Sequence, residues 1–255
     1  MLSMRHSQET TPNESLQEVP AGARESNRAW MARLGASHGI ILLGGSSLAH
    51  FRIRIAQSHV RSDLLPSFWS LAGILEDGET FASVPFDGHA DASEVPRTNG
   101  VKSCRLDEYD DPVRFPNIAV LQFTDDVQPI HENIERVKAQ RSVIDLPTLM
   151  LPWLGYIWSA GQAGNPLLAG YGLPSAAFVE TVYGIAGIEL TPGLSSASSC
   201  PEAIWAAAKW WHQFYQAETG RGNRAHASGR RPTGHFAVRQ MAAAVDERTR
   251  SSERR

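Results

Sequence analysis

The stretch GYGLPSAAFVETVYGIAGIEL, residues 170–190, carries most of the information about the fold of this chain. A Gly-Leu-Pro turn leads into Ser175, and apolar residues then recur at helical spacing, at Phe178, Val182 and Ile185. This spacing predicts an amphipathic helix that begins near Ser175 and packs one side against a core. The first turn of a helix stabilises negative charge, so enzymes often place a nucleophile there. Ser175 is therefore the first candidate site residue.

Outward from this helix, the chain alternates between strand and helix patterns. Apolar runs predict strands at 39–43, 68–75, 101–106 and 118–123, and residues 76–79 form a turn into a further strand that starts at Thr80. Periodic patterns predict helices at 46–58, 131–140, 146–159 and 201–216, and the polar stretch 87–99 is predicted to be a long surface loop. This order predicts an α+β domain with an antiparallel sheet packed against helices.

Composition divides the chain into three parts. Residues 1–27 are polar and lack an apolar signal segment, so they are interpreted as a disordered leader. Residues 28–215 hold all seven Trp and form the domain, while residues 216–255, with nine Arg against four acidic residues, are interpreted as a disordered basic tail. The net charge of −3 does not favour specific nucleic-acid binding, and no apolar run is long enough to span a bilayer.

Two cysteines, Cys104 and Cys200, match neither a zinc site nor a disulfide framework. They favour reduced thiols and a cytoplasmic location. The simplest interpretation of each is a small apolar side chain that packs in the core. Cys200, however, precedes a predicted helix, and the pKa of a thiol can be lowered at such a position. No metal-ligand spacing occurs, and the acidic run 107–111 lacks the EF-hand pattern, so neither a metal nor another cofactor is expected.

Four segments occur in an order that suggests a family. They read Gly39-Ile-Ile-Leu-Leu43, Trp69-Ser-Leu-Ala-Gly-Ile-Leu-Glu-Asp-Gly78, Ile144-Asp-Leu-Pro147 and Ser175-Ala-Ala-Phe-Val179. Together they resemble the permuted branch of the NlpC-type papain-like cysteine amidases and peptidases, over about residues 36–210. The resemblance implies a circularly permuted papain-like domain.

Two positions depart from the pattern that the resemblance implies. Ser175 stands where the family has its nucleophilic Cys, and Leu71 stands where it has the base His. A leucine cannot transfer a proton, and a serine without a base is a weak nucleophile. The resemblance therefore predicts the fold and argues against the activity, which leaves a catalytically degenerate binding or regulatory module.

Two other interpretations stay open. Ser175 could serve an amidase, esterase or acyltransferase if a relocated histidine reached it, and His89 and His131 are the candidate bases. Alternatively, the chain is an interaction protein with a basic tail.

For a binding module, the sequence suggests an apolar cleft with Leu71 at its floor. The residues expected to line or border it are Trp69, Ser70, Tyr171 and Phe86. Such a cleft favours an acyl chain, a peptide or a partner protein over a charged ligand. The set Trp205, Trp210 and Trp211 on the last helix is expected either to pack internally or to form an exposed patch.

Overall fold

A computed structural model describes residues 16–22, 24–86, 99–158, 163–220 and 232–239, with the side chains of 215–220 excepted. The strands are β1 (Leu16–Glu18), β2 (Gly39–Gly44), β3 (Leu71–Leu75), β4 (Thr80–Ser83), β5 (Lys102–Arg105), β6 (Asn117–Gln122) and β7 (Thr233–Val238). The helices are α1 (Asn27–Leu34), α2 (Leu48–Ala56), α3 (Gln128–Ala139), α4 (Leu146–Trp158), α5 (Pro174–Ile185) and α6 (Pro201–Gly220). The α+β class predicted from the sequence is confirmed.

The strands form one sheet in the order β1-β7-β6-β2-β3-β4-β5. All neighbouring pairs are antiparallel except β1 and β7, which are parallel. β2 lies at the centre, and each of its six residues is buried, which explains its continuous Gly-Ile-Ile-Leu-Leu-Gly sequence. A strand buried on both faces has no polar side to alternate with an apolar one.

The two faces of the sheet carry separate cores. Alternate residues of β2 and β3, including Ile40, Leu42 and Ala72, join a core with α2, α4, α5 and α6, called here the helical-face core. Their neighbours, including Ile41 and Leu71, join a smaller core on the opposite face with Trp30 of α1, called here the α1-face core. Successive side chains of a strand point to opposite faces of the sheet, so the residues of β2 and β3 alternate between the two cores.

The boundaries predicted for the leader and the tail are wrong where the structure describes them. β1 and α1 begin before residue 28, and β7 lies in the stretch that was interpreted as disordered. β7 pairs with both β6 and β1, and Phe236 packs its ring against Trp205 with centroids 4.9 Å apart. Hydrogen bonds on both sides and apolar contact therefore stabilise this strand, despite the Arg-, Gly- and Ala-rich composition of its surroundings. The remainder of both segments lies outside the described residues.

The other elements agree closely with their predicted positions. α3 begins at Gln128 rather than at His131, because Pro129 occupies its first turn, where a missing N–H costs nothing. Of the polar stretch 87–99 predicted as a surface loop, residues 87–98 lie outside the described residues, and Asn99 is buried. Within the described ranges, none of the helices has the length and apolarity needed to cross a bilayer.

Candidate functional site

The first turn of α5 fixes the position of Ser175. Gly172 and Leu173 donate backbone hydrogen bonds to the carbonyls of Ala197 and Ser199, at 2.7 and 2.8 Å. A Cβ on Gly172 would lie 2.6 Å from the Ser199 carbonyl oxygen, so only glycine allows this close approach. Pro174 then begins the helix, since its fixed φ suits that position and its missing N–H is not needed there. The Gly-Leu-Pro turn therefore directs Ser175 towards the sheet.

Ser175 is completely buried between α5 and β3. Its Oγ accepts a hydrogen bond from the Ala72 N–H at 3.3 Å. The carbonyl of the same residue, Ala72, accepts a hydrogen bond of 2.6 Å from the Ser83 hydroxyl. Two buried serines thus bind the backbone of one β3 residue. In this position Ser175 supports the sheet, and its side chain is closed to solvent.

Leu71 does not face Ser175, which corrects the expectation that the two residues occupy the paired base and nucleophile positions of one site, with Leu71 at the floor of its cleft. The Leu71 side chain belongs to the α1-face core, whereas α5 packs on the other face, against the side of Ala72. The reason is the two-residue period of a strand. Leucine at position 71 therefore forms no floor beneath Ser175.

Neither of the alternative bases is placed at Ser175. His89 lies outside the described residues. His131 lies in the first half of α3 and is partly buried. Within the described part of the chain, the Ser175 side chain bonds to the Ala72 N–H, and no imidazole bonds to this hydroxyl.

The residues predicted to line a cleft differ in how far they are buried. Trp69 is fully buried and packs its ring against Trp205, with centroids 5.2 Å apart. Ser70 is also buried, and its hydroxyl accepts a hydrogen bond from the Gly45 N–H at 2.9 Å. Phe86 lies beside Trp153, and Tyr171 is 42% exposed. Trp69 and Ser70 therefore belong to the interior, and they form no apolar cleft with the other two.

The aromatic residues of α6 divide between the interior and the surface. Trp205 is buried in the helical-face core, whereas Trp210 is 53% exposed and stacks on Phe214 with centroids 5.3 Å apart. Both interpretations of this set are therefore correct in part.

The two cysteines are buried in separate places, and no disulfide joins them. Burial raises the pKa of Cys200 to about 12, so this residue is a thiol at neutral pH. Cys200 accordingly lacks the thiolate that a nucleophile requires. Among the described residues, no group of three His, Cys, Asp or Glu side chains is placed to hold a metal ion.

A different polar site lies further along α5, at Glu180. This side chain is only 6% exposed, and its carboxylate accepts hydrogen bonds from Thr191 Oγ1 at 2.6 Å and Ser199 Oγ at 2.9 Å. Both hydroxyls donate to the same oxygen, Oε1. The other oxygen, Oε2, receives no hydroxyl donor within the described ranges. The Thr191 backbone N–H also interacts with this carboxylate, and Oε2 keeps capacity to accept a further donor.

The turn after α5 produces this arrangement. Gly187 has a positive φ of 75°, a conformation that glycine adopts without strain, and Ile188 N–H bonds back to the Tyr183 carbonyl at 2.9 Å. The chain reverses there and returns beside the helix, which brings Thr191 next to Glu180.

A surface cavity of about 480 Å³ opens beside Glu180. Its lining residues are contributed by the end of α5 and the segment that follows: Glu180, Gly184, Gly187, Ile188, Glu189, Thr191, Leu194, Ser195 and Ser196. We call this the Glu180 cavity. None of Ser175, Leu71 or the four predicted cleft residues lines it.

Comparison with known proteins gives no relative. No family model, curated protein or solved structure matches this chain. The Glu180 cavity therefore has to be interpreted from its own chemistry.

Burial is the main influence on the Glu180 carboxyl and raises its pKa above the usual 4.5. The hydroxyls of Thr191 and Ser199 and the Thr191 backbone N–H oppose this effect, whereas the nearby Glu189 carboxylate adds to it. In the described part of the chain, no Lys, Arg or His forms an ion pair with Glu180 or Glu189. The cavity therefore contains two acidic side chains that have no basic partner among the described residues.

Sequence reasoning did not identify Glu180, although it lies inside the stretch quoted first. The available signal was a single carboxylate in a helix whose preceding residues, 174–179, are all apolar or small, together with the glycines Gly184 and Gly187. An acidic residue in such an environment is almost always paired or functional.

Proposed function

We propose that this chain is a non-catalytic binding module that holds a small ligand in the Glu180 cavity. The observation that carries the proposal is the burial of Ser175, whose Oγ is bonded to the backbone of β3 and is closed to solvent. A nucleophile must reach its substrate and must have a base within hydrogen-bond distance. Ser175 has neither among the described residues.

The Glu180 cavity supports the binding part of the proposal. Its volume of about 480 Å³ is within the range of small-molecule sites, roughly 300–1,000 Å³. Small-molecule sites combine apolar walls with a few polar groups that fix orientation. Ile188 and Leu194 supply apolar wall, while Glu180 and Thr191 supply converging polar groups. The ligand site is thus assigned to this cavity instead of the apolar cleft suggested by the sequence.

Labelling with a fluorophosphonate probe tests the absence of serine chemistry. We expect no adduct on the intact protein by mass spectrometry, because the probe cannot approach a buried hydroxyl without a base. A serine protease treated in parallel serves as the positive control, and Ser175→Ala serves as the matched variant. Stoichiometric labelling that disappears in Ser175→Ala would overturn the proposal in favour of a serine-dependent hydrolase or acyltransferase.

A second variant examines the family's catalytic pair directly. Leu71→His combined with Ser175→Cys restores the two residue types that the resemblance requires. We expect this double variant to remain unreactive towards an acyl-thiol probe under native conditions, since residue 71 points away from α5. The thiol introduced at position 175 should label only after denaturation. Rapid native labelling that depends on the introduced histidine would contradict the geometry described here.

A further inference from the structure

The Glu180 cavity combines a buried carboxyl group with hydrogen-bonding capacity that the protein does not use up. Glu180 Oε1 is saturated by Thr191 and Ser199, so a ligand would meet Oε2. Glu189 lies at the exposed rim of the same cavity. A carboxylate in a partly desolvated site interacts strongly with a cation, because water competes poorly there with a charge-assisted hydrogen bond.

A second buried glutamate shows how this protein accommodates such a group when no ligand is involved. Glu202 is 2% exposed and accepts a hydrogen bond from Ser67 Oγ at 2.6 Å, and Arg61 lies 3.5 Å away. The chain therefore supplies a cation to Glu202. It supplies none to Glu180 within the described ranges.

We propose that the Glu180 cavity binds a small molecule carrying an amidinium, guanidinium or ammonium group, with the cation placed between Glu180 Oε2 and Glu189. This inference rests on the proposed binding function and specifies its ligand class. Ser195 and Ser196 line the same cavity, so they are the candidates to bond neutral polar parts of the ligand. Ile188 and Leu194 provide apolar contact for its body.

The chain offers a substitution that closes the cavity without disturbing the core. Gly184 lies within α5 and lines the cavity, and a Cβ built there meets no atom within 4 Å. Gly184→Leu should therefore fill the cavity by projecting into open space. Gly155 in α4 is the matched control, since it is also a helical glycine with open space around its Cβ position and lies outside the cavity.

Benzamidine and its neutral analogue benzamide provide the test, by calorimetry and by amide chemical shifts of the full chain. We expect saturable benzamidine binding, with benzamide at least about tenfold weaker. Glu180→Gln keeps the side-chain shape and should weaken benzamidine binding by about tenfold or more. The exposed Glu189→Gln should weaken it by about threefold, Gly184→Leu should abolish it, and Gly155→Leu should leave it unchanged.

Two further results separate the ligand class from the binding function. Equal binding of benzamide and benzamidine, or unchanged benzamidine affinity in both Glu180→Gln and Glu189→Gln, would overturn the cationic assignment. If neutral or anionic fragments bind and Gly184→Leu blocks their binding, while cationic fragments do not bind, the cavity is a binding site for another class of ligand. If fragments of every charge fail to shift the resonances of the cavity residues, the proposed binding function itself is wrong. Thermal unfolding of each variant verifies that it is folded.

Discussion

Glu180 and Glu202 lie on the adjacent helices α5 and α6, and both are almost completely buried, but their surroundings differ. The carboxylate of Glu202 contacts a hydroxyl and a guanidinium. The backbone N–H of Glu202 donates a hydrogen bond to Gln57 Oε1 at 2.9 Å. The carboxylate of Glu180 contacts two hydroxyls and the wall of a cavity. One buried charge is thus compensated inside the fold, and the other is turned towards a space that a ligand can enter.

The difference separates a structural carboxylate from a candidate binding carboxylate. Burial raises the pKa of both groups, so the direction of the pKa shift alone does not distinguish them. The distinguishing observation is the basic partner. Removing an internal partner should therefore have a large effect on stability at Glu202, whereas changes at Glu180 should have small effects on stability and large effects on binding.

The largest effect is expected from Arg61→Met, which removes the guanidinium that pairs with buried Glu202. We expect a loss of about 3 kcal/mol in the free energy of unfolding at neutral pH, measured by urea denaturation. Adding Glu202→Met should recover most of this loss, because no buried charge then remains. Arg141→Met removes the exposed ion pair with Asp145 and should cost less than about 1 kcal/mol. A similar small loss for Arg61→Met would show that Glu202 does not depend on its guanidinium partner.

An intermediate effect is expected from Thr191→Val, which removes one hydroxyl donor from Glu180 with little change of shape. The expected loss is about 1.5 kcal/mol at neutral pH, because a buried carboxylate then has one hydrogen bond fewer. The loss should shrink under acidic conditions, where the carboxyl is protonated. An equal loss at both pH values would mean that the threonine stabilises the protein by packing, and that its bond to Glu180 contributes little.

The smallest effect is expected from Glu180→Gln. The folded-state pKa of Glu180 lies above the usual 4.5, so this group stabilises the fold most below pH 4.5 and contributes progressively less as pH rises through its folded-state pKa. The amide variant should therefore be more stable than the original protein by about 1 kcal/mol at pH 7. That advantage should disappear near pH 4, which thermal unfolding at the two pH values measures. A stability difference that does not vary with pH would exclude the carboxyl as its source.

The central fold could be predicted because its signals are local. The apolar run of β2, the turn between β3 and β4, and the periodicity of α5 each follow from residues close together in the chain. β7 could not be predicted in this way. Its stability comes from pairing with β6, which lies about a hundred residues earlier, and from the contact between Phe236 and Trp205. Neither partner is evident from the six residues of the strand.

The site was predicted less well, for two physical reasons. The resemblance paired Leu71 with Ser175 in one site. Successive side chains of a strand point to opposite faces of the sheet, so a difference of one residue in the strand decides which side chain faces α5. The site at Glu180 depends on the reversal at Gly187, which brings Thr191 back beside α5. Hydroxyl donors eleven and nineteen residues away have no spacing rule that sequence reasoning can apply.

The position of β7 also has a consequence for synthesis on the ribosome. β7 lies between β6 and β1, so the outer edge of β6 stays unpaired until residues 233–238 have emerged. At the usual rate of synthesis, roughly 5–20 residues per second, the nascent chain carries that open edge for several seconds or more. An open strand edge is a template for pairing with other chains. β7 therefore covers the edge of β6 only late in synthesis. A ribosome that stalls before β7 would leave a chain prone to edge-to-edge association.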